Sequence, residues 1–142
     1  MTVKTAPAKA VPVATPTTKP YWEGTKAGEL RLQKCSDCSH HFLYPRIRCP
    51  QCGSANTAWV KASGKAKLYS YVINHFPAPG WEGEVPYVIA MVQLAEGPRM
   101  MSSLVGIPAD PAKLVLDMPL QVMFEARGDM MLPVFQAAGS AA

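Results

Sequence analysis

Cys35-Ser36-Asp37-Cys38 and Cys49-Pro50-Gln51-Cys52 contain all four cysteines of the chain, in the pattern C-x2-C-x10-C-x2-C. Each spacer lets one tight turn present two thiolates, and two facing turns complete the sulfur tetrahedron that zinc prefers. Disulfides or a redox pair are the alternatives. A disulfide within one turn is strained, and the sequence shows no secretory segment that would favour oxidation. The spacing therefore predicts a structural zinc bound by Cys35, Cys38, Cys49 and Cys52, closed to hydrolytic chemistry.

The residues around the two cysteine pairs have the features of one helix and three short strands. Pro20 in a first turn that starts near Thr18 predicts a short amphipathic helix ending near Gly28. Short strands around two cysteine turns make a zinc ribbon, whose small core relies on the metal. We therefore predict a helix and zinc ribbon over residues 18–63, with strand-like segments at residues 30–34, 42–45 and 59–61.

Five further segments with strand character follow Gly64, without a long helical pattern. A long irregular connection separates the third segment from the fourth, which suits a five-stranded OB-fold barrel. A small meander sandwich is the alternative. We predict a mainly β protein in which the OB-fold occupies residues 64–136, with strands near residues 67–74, 87–94, 100–107, 120–126 and 132–135.

Both ends of the chain have the composition of tails. Residues 1–17 are mostly Ala, Pro, Thr, Val and Lys, which predicts a disordered segment, unless a partner chain holds it. Residues 137–142 are expected to form a flexible C-terminus. The sequence shows no apolar run long enough to cross a membrane and no N-terminal apolar segment with a cleavage site. The expectation is a cytoplasmic protein without membrane contact.

The formal charge of +4 is unevenly distributed along the chain. Residues 21–67 carry a net charge of +5, whereas residues 68–142 carry −4. Four zinc-bound thiolates would add a further −2 to the ribbon. This polarity suits one local anionic ligand better than a long phosphate backbone.

An ordered set of motifs runs along residues 17–136. Its members are Tyr21-Trp22-Glu23-Gly24, Leu30, the two cysteine pairs with Pro45-Arg46 and Gly53, Gly64, Pro86-Tyr87 and Leu132-Pro133-Val134-Phe135. This set resembles the DUF35 family, which pairs a rubredoxin-like zinc ribbon with an OB-fold. One departure is Ser39, because the family commonly has glycine after the second cysteine. That position often takes a left-handed turn, so a serine there is expected to be strained.

The resemblance implies an accessory function. DUF35 proteins are non-catalytic companions of thiolase-fold enzymes, which include thiolases, acyltransferases and aldolases that act on coenzyme A (CoA) thioesters. They stabilise the catalytic subunit in a hetero-oligomer and help to form the CoA site. The resemblance thus implies a structural zinc in this chain, and an acyl-CoA bound only jointly with a partner.

Three groups of residues are candidates for contact with CoA or the partner. The guanidinium groups of arginines match phosphate geometry, although ordinary solvated charge is the alternative. Aromatic residues in a proline-bounded loop are often interface anchors, although they could instead cap the barrel. The leading helix could pack on a partner or on this chain's own ribbon. The candidates are Arg46, Arg48 and Lys65; His75, Phe76 and Trp81; and Tyr21 and Trp22.

No catalytic constellation is visible in the sequence. The cysteines are assigned to the metal, and a histidine needs a positioned nucleophile or acid beside it in order to act. The sequence therefore predicts a subunit without its own catalysis. A single-stranded nucleic-acid-binding module is the alternative, disfavoured by the acidic barrel, and a redox-sensing zinc switch is a third option.

Overall fold

The computed structural model describes residues 9–139 of the chain and contains one helix and eight strands there. No helix among those residues is long and apolar enough to span a bilayer. The predicted mainly β fold is confirmed. The elements are α1 (Lys19–Lys26), β1 (Arg31–Cys35), β2 (His41–Phe42), β3 (Thr57–Lys61), β4 (Lys65–Asn74), β5 (Tyr87–Leu94), β6 (Arg99–Ser103), β7 (Pro119–Arg127) and β8 (Met130–Ala137).

The first sheet is an antiparallel ribbon of three strands in the order β2-β1-β3. Its central strand contains Gln33, whose buried side-chain amide forms hydrogen bonds through both its nitrogen and its oxygen. The Gln33 side chain donates to the Arg46 carbonyl and accepts from the Arg46 N–H, both at 2.7 Å. This pair of bonds ties the chain after β2 to β1, and so fixes the approach to the second cysteine pair.

The second sheet has the strand order β6-β5-β4-β7-β8. The edge strands meet where Leu104 forms a parallel bridge with Phe135, and the Val105 N–H donates to the Phe135 carbonyl at 2.8 Å. The sheet therefore nearly closes into a barrel. Alternate side chains of β5 are buried, as expected for a strand with one face on a core.

The third barrel strand is shorter than the sequence predicts. It ends at Ser103, whereas the hydrophobic pattern suggested an extension to Ile107. The chain turns away because Gly106 has a φ of 71°, outside the extended region, and Pro108 follows. Leu104 keeps only its single bridge to β8.

One hydrophobic core runs through both sheets. Leu32 of the ribbon and Tyr21 of α1 belong to the same buried cluster as Leu68 and Phe135 of the barrel. Helix α1 packs against β8 and β1. At the junction, Gly64 has a φ of 80°, and a Cβ there would lie 2.6 Å from Val122 Cγ1. The chain can pass so closely because the residue is glycine.

Residues 1–8 and 140–142, and with them parts of both predicted tails, lie outside the described residues. Residues 9–17 form no helix or strand, yet two of them contact the barrel. Lys9 Nζ lies 2.6 Å from Glu84, and Arg127 donates to the Ala10 carbonyl at 3.5 Å. The domain boundaries at residues 18, 64 and 136 remain predictions. The hydrophobic core contains residues on both sides of residue 64.

Candidate functional site

The four cysteine sulfurs converge at the tip of the ribbon. All of them lie within 4.8 Å of one another. Cys35 Sγ lies 3.5 Å from Cys52 Sγ, and Cys38 Sγ lies 3.7 Å from Cys49 Sγ. A tetrahedron with zinc–sulfur bonds of about 2.3 Å separates its sulfurs by about 3.8 Å. The cluster therefore fits a tetrahedral metal.

Two tight turns position the sulfurs. The Ser39 N–H donates to the Cys35 carbonyl, and the Gly53 N–H donates to the Cys49 carbonyl, each at 2.9 Å. Backbone N–H groups also point at sulfur, and the one on Cys38 is the main reason why the pKa of Cys35 falls to about 7. The pKa values of Cys38 and Cys52 rise instead, because burial and the adjacent sulfurs outweigh their backbone donors. Donors of this kind stabilise the thiolates that a metal requires. Four soft ligands without an open position support a structural zinc.

Ser39 lies in the first of these turns with a φ of 64°. This confirms the left-handed conformation expected at the position where DUF35 sequences commonly have glycine. A side chain at such a φ costs free energy. The turn therefore forms with serine at a position where glycine would be less strained.

A cavity of about 410 Å³ lies where α1, the chain after β2, β6 and β8 meet. It brings together three of the predicted contact residues, Tyr21, Trp22 and Trp81. The Tyr21 ring meets the Trp22 ring edge-on at 4.9 Å. Burial, with a smaller contribution from Tyr44, raises the pKa of Tyr21, so its hydroxyl stays protonated.

The other five predicted contact residues are not gathered at this cavity. Arg46 borders a separate depression beside His40 and Glu96. Lys65 borders a third depression, with Lys67 and Gln93. Arg48 donates to the Gly53 carbonyl at 3.1 Å in the second cysteine turn, while His75 and Phe76 are exposed after β4. Their roles in CoA or partner contact remain predictions.

Arg127 is a cavity residue that the sequence did not single out. It ends β7 and lines the cavity together with Trp81. The guanidinium carbon lies 5.5 Å from the Trp81 ring. Nothing local in the sequence distinguishes Arg127, since the residues around it come from distant segments.

An exposed apolar patch lies next to the cavity, on the outer face of β4, β5 and β6. Met101 and Val72 are 59% and 58% exposed and border one shallow depression. Met101 is also a cavity residue, and its N–H donates to the Tyr44 hydroxyl at 2.9 Å. We define the apolar patch as Tyr44, Val72, Ile89, Met91 and Met101. Contiguous apolar surface of this kind is typical of interfaces.

The two methionines of β6 illustrate why the patch forms. Met100 is buried in the core, whereas Met101 faces outward. The sequence left open whether the methionines fill the core or supply an adaptable contact surface. The alternation of a strand buries Met100 in the core and leaves Met101 on the surface, where a contact role remains a prediction.

Comparisons with known proteins agree with this arrangement. Residues 22–58 match the family model "ChsH2, rubredoxin-like zinc ribbon domain", and residues 59–125 match "ChsH2, C-terminal OB-fold domain". A solved structure described as "Ltp2-ChsH2(DUF35) aldolase" superposes with a TM-score of 0.79 at 36% identity, covering 90% of this chain and 99% of that one.

Two curated relatives differ greatly in length. The chain is 39% identical over 119 residues to a "Probable enoyl-CoA hydratase alpha subunit" of Thermomonospora curvata, which covers 83% of this chain but 36% of the relative. It is 33% identical to a "DUF35 domain-containing scaffold protein" of Methanothermobacter thermautotrophicus, covering 67% of this chain and 71% of that protein. With its zinc ribbon followed by an OB-fold, the chain belongs to the DUF35 family.

Proposed function

We propose that this chain is a non-catalytic accessory subunit of an enzyme complex that acts on acyl-CoA thioesters. The apolar patch is the observation that carries the proposal. Exposed and half-buried apolar side chains that lie side by side indicate a surface that another protein covers. The relatives supply the class of enzyme, because their names describe a hydratase subunit and an aldolase.

The placement of reactive side chains supports a non-catalytic role. All four cysteines are in the metal cluster, so none of them is positioned as a nucleophile. His40 and His41 flank the ribbon turn, and His75 follows β4. A general base must lie within hydrogen-bonding reach of the group that it activates. The chemistry is therefore assigned to the partner.

The finer proposal is a thiolase-fold partner with a jointly bound CoA. Arg46 and Arg48 place guanidinium groups on the basic ribbon, and Lys65 begins the barrel. Such groups suit the phosphates of CoA if a partner completes the site. His75 and Phe76 are exposed after β4 and are therefore available for contact with the partner. The family resemblance supports the thiolase fold.

Val72→Glu tests the docking role. A carboxylate in the apolar patch would be desolvated on assembly, so we expect at least a tenfold weaker association, about 1.4 kcal/mol. The chain is co-expressed with a thiolase-fold protein from the same genome and, separately, with an enoyl-CoA hydratase. Co-purification and calorimetry measure assembly. The matched control is Val115→Glu, which changes an equally exposed valine outside the patch.

Each outcome of this experiment is informative. Assembly with the hydratase alone would keep the accessory role and contradict the thiolase fold. Unchanged association of Val72→Glu would refute the docking patch. Purification of the enzyme as a fully active species without this chain would count against the accessory role itself.

The single-stranded nucleic-acid alternative has less support. Such proteins present free aromatic faces along a basic groove. Here the Arg99 guanidinium already covers the Tyr69 ring at 3.8 Å, and the adjoining face is the apolar patch. Salt-dependent binding of an oligonucleotide at physiological ionic strength would revive this alternative.

A further inference from the structure

The cavity beside α1 has the size and lining of a small-molecule site. Its volume of about 410 Å³ lies within the range of about 300–1,000 Å³ that is typical of such sites. Aromatic rings, methionines and prolines form most of its wall, including Trp22, Tyr44, Met100 and Pro133. An apolar body would therefore be well accommodated.

One cation interrupts this apolar wall. The Arg127 side chain is only 17% exposed, and its two polar contacts are long. Nη1 lies 3.5 Å from the Ala10 carbonyl oxygen, and Nη2 lies 3.9 Å from a Glu125 carboxylate oxygen. A guanidinium has five N–H donors, and burial strengthens its need for a counter-charge. Arg127 thus has bonding capacity left for an anion.

The second cation at this end of the barrel is already neutralised. Lys9 Nζ lies 2.6 Å from Glu84 and 3.8 Å above the centre of the Trp81 ring. The Trp81 ring also stacks on Tyr87, with centroids 4.5 Å apart. These contacts fix the indole at the cavity wall and use the Glu84 carboxylate. Among the described residues that line the cavity, Arg127 is then the cation able to receive a ligand.

We infer that this cavity binds a small molecule with an apolar body and one carboxylate or phosphate, which Arg127 receives. The inference goes beyond the proposed accessory role, because it concerns the isolated chain. The entering anion competes with the Ala10 carbonyl for the guanidinium. Ala10 therefore lies beside the proposed anion position, and the next residue, Val11, approaches Gly128.

Calorimetry and tryptophan fluorescence with short amphiphiles test the inference. Octanoate and octyl phosphate are the anionic probes, and 1-octanol is the neutral one. We expect the wild-type chain to bind the better anion at least tenfold more tightly than 1-octanol. The stronger of the two anions identifies the head group. Arg127→Gln is expected to remove this preference while leaving 1-octanol binding unchanged.

Three further variants make the test specific. Arg99→Gln, which changes an arginine outside the cavity, should keep the anion preference, and Arg127→Lys should retain most of it. Ser103→Phe adds bulk to the cavity wall and should weaken every probe. Circular dichroism checks that each variant folds.

The inference is overturned if no probe binds the wild-type chain saturably, or if Arg127→Gln keeps the tenfold preference. It is also overturned if probes fail to bind while Ser103→Phe abolishes assembly, because a partner side chain would then fill the cavity. Assembly of Arg127→Gln with the catalytic subunit is measured separately. Normal assembly together with a lost anion preference would separate this site from the docking role.

Discussion

Ser39 holds a left-handed backbone conformation, with a φ of 64°, beside the second zinc-ligand candidate. A Cβ in this region costs about 1–2 kcal/mol, whereas glycine avoids that cost and loses about 0.5–1 kcal/mol of backbone entropy. We expect Ser39→Gly to stabilise the zinc-loaded chain by about 1 kcal/mol. Thermal and urea unfolding measure the change.

A glycine elsewhere in the same turn provides the control. Ser36 is not among the residues with positive φ, so Ser36→Gly has no strain to relieve and should be neutral or destabilising. Equal stabilisation by both variants would mean that the backbone conformation of Ser39 is not the cause.

The two cysteine turns are the part of the ribbon whose stability depends on the metal. Their described core contains Cys35, Phe42 and Cys49, with Cys38 packed against them, so without zinc little apolar surface holds the turns together. We expect chelation or Cys49→Ser to abolish hydrogen-exchange protection in the two cysteine turns and β2, whereas β1 remains attached to the barrel core through Leu32. Adding back one equivalent of Zn²⁺ should restore protection after chelation, and Mg²⁺ should not. Full protection of the cysteine turns in the chelated chain would contradict a structural zinc.

Elements with strong local patterns were predictable from the sequence. The apolar run of β5, between the loop that ends at Pro86 and the Glu96-Gly97 turn, predicted its bounds, residues 87–94, as they occur, and the cysteine spacing predicted the cluster. The end of β6 was missed because the hydrophobic pattern continues after the backbone turns at Gly106. The cavity was not predictable, because Tyr21, Trp81 and Arg127 meet only after the barrel has closed.

The same reasoning explains why the predicted contact residues separate. Charge and composition identified Arg46, Arg48 and Lys65 as a basic set, but charge along a sequence does not specify a common face. Their positions depend on the ribbon register and on the junction at Gly64. The register and the junction are set by tertiary contacts between segments that are distant in the sequence.

At the scale of the whole molecule, the shared core predicts that ribbon and barrel unfold together. Leu32 lies on the ribbon strand β1, is 0% exposed, and belongs to the cluster that contains barrel residues. We expect Leu32→Ala to lower the free energy of unfolding by about 2–5 kcal/mol in one cooperative transition. Hydrogen exchange of the barrel strands and zinc release from the ribbon, followed together, measure it.

Leu116→Ala is the matched control, because Leu116 is 58% exposed and should cost little. Two separate transitions, with barrel unfolding unaffected by Leu32→Ala, would instead support independent domains that meet near residue 64.

The hydrogen bond from the Met101 N–H to the Tyr44 hydroxyl protects the chain against aggregation. β6 pairs with β5 on one side. Its other side meets β8 only beyond its end, at Leu104, so the rest of that edge can offer backbone donors to a strand of another molecule. Tyr44 belongs to the ribbon segment and occupies one of those donors. The metal thus protects the barrel indirectly: a chain deprived of zinc would uncover a strand edge beside an apolar face, and would become prone to self-association as well as unable to dock.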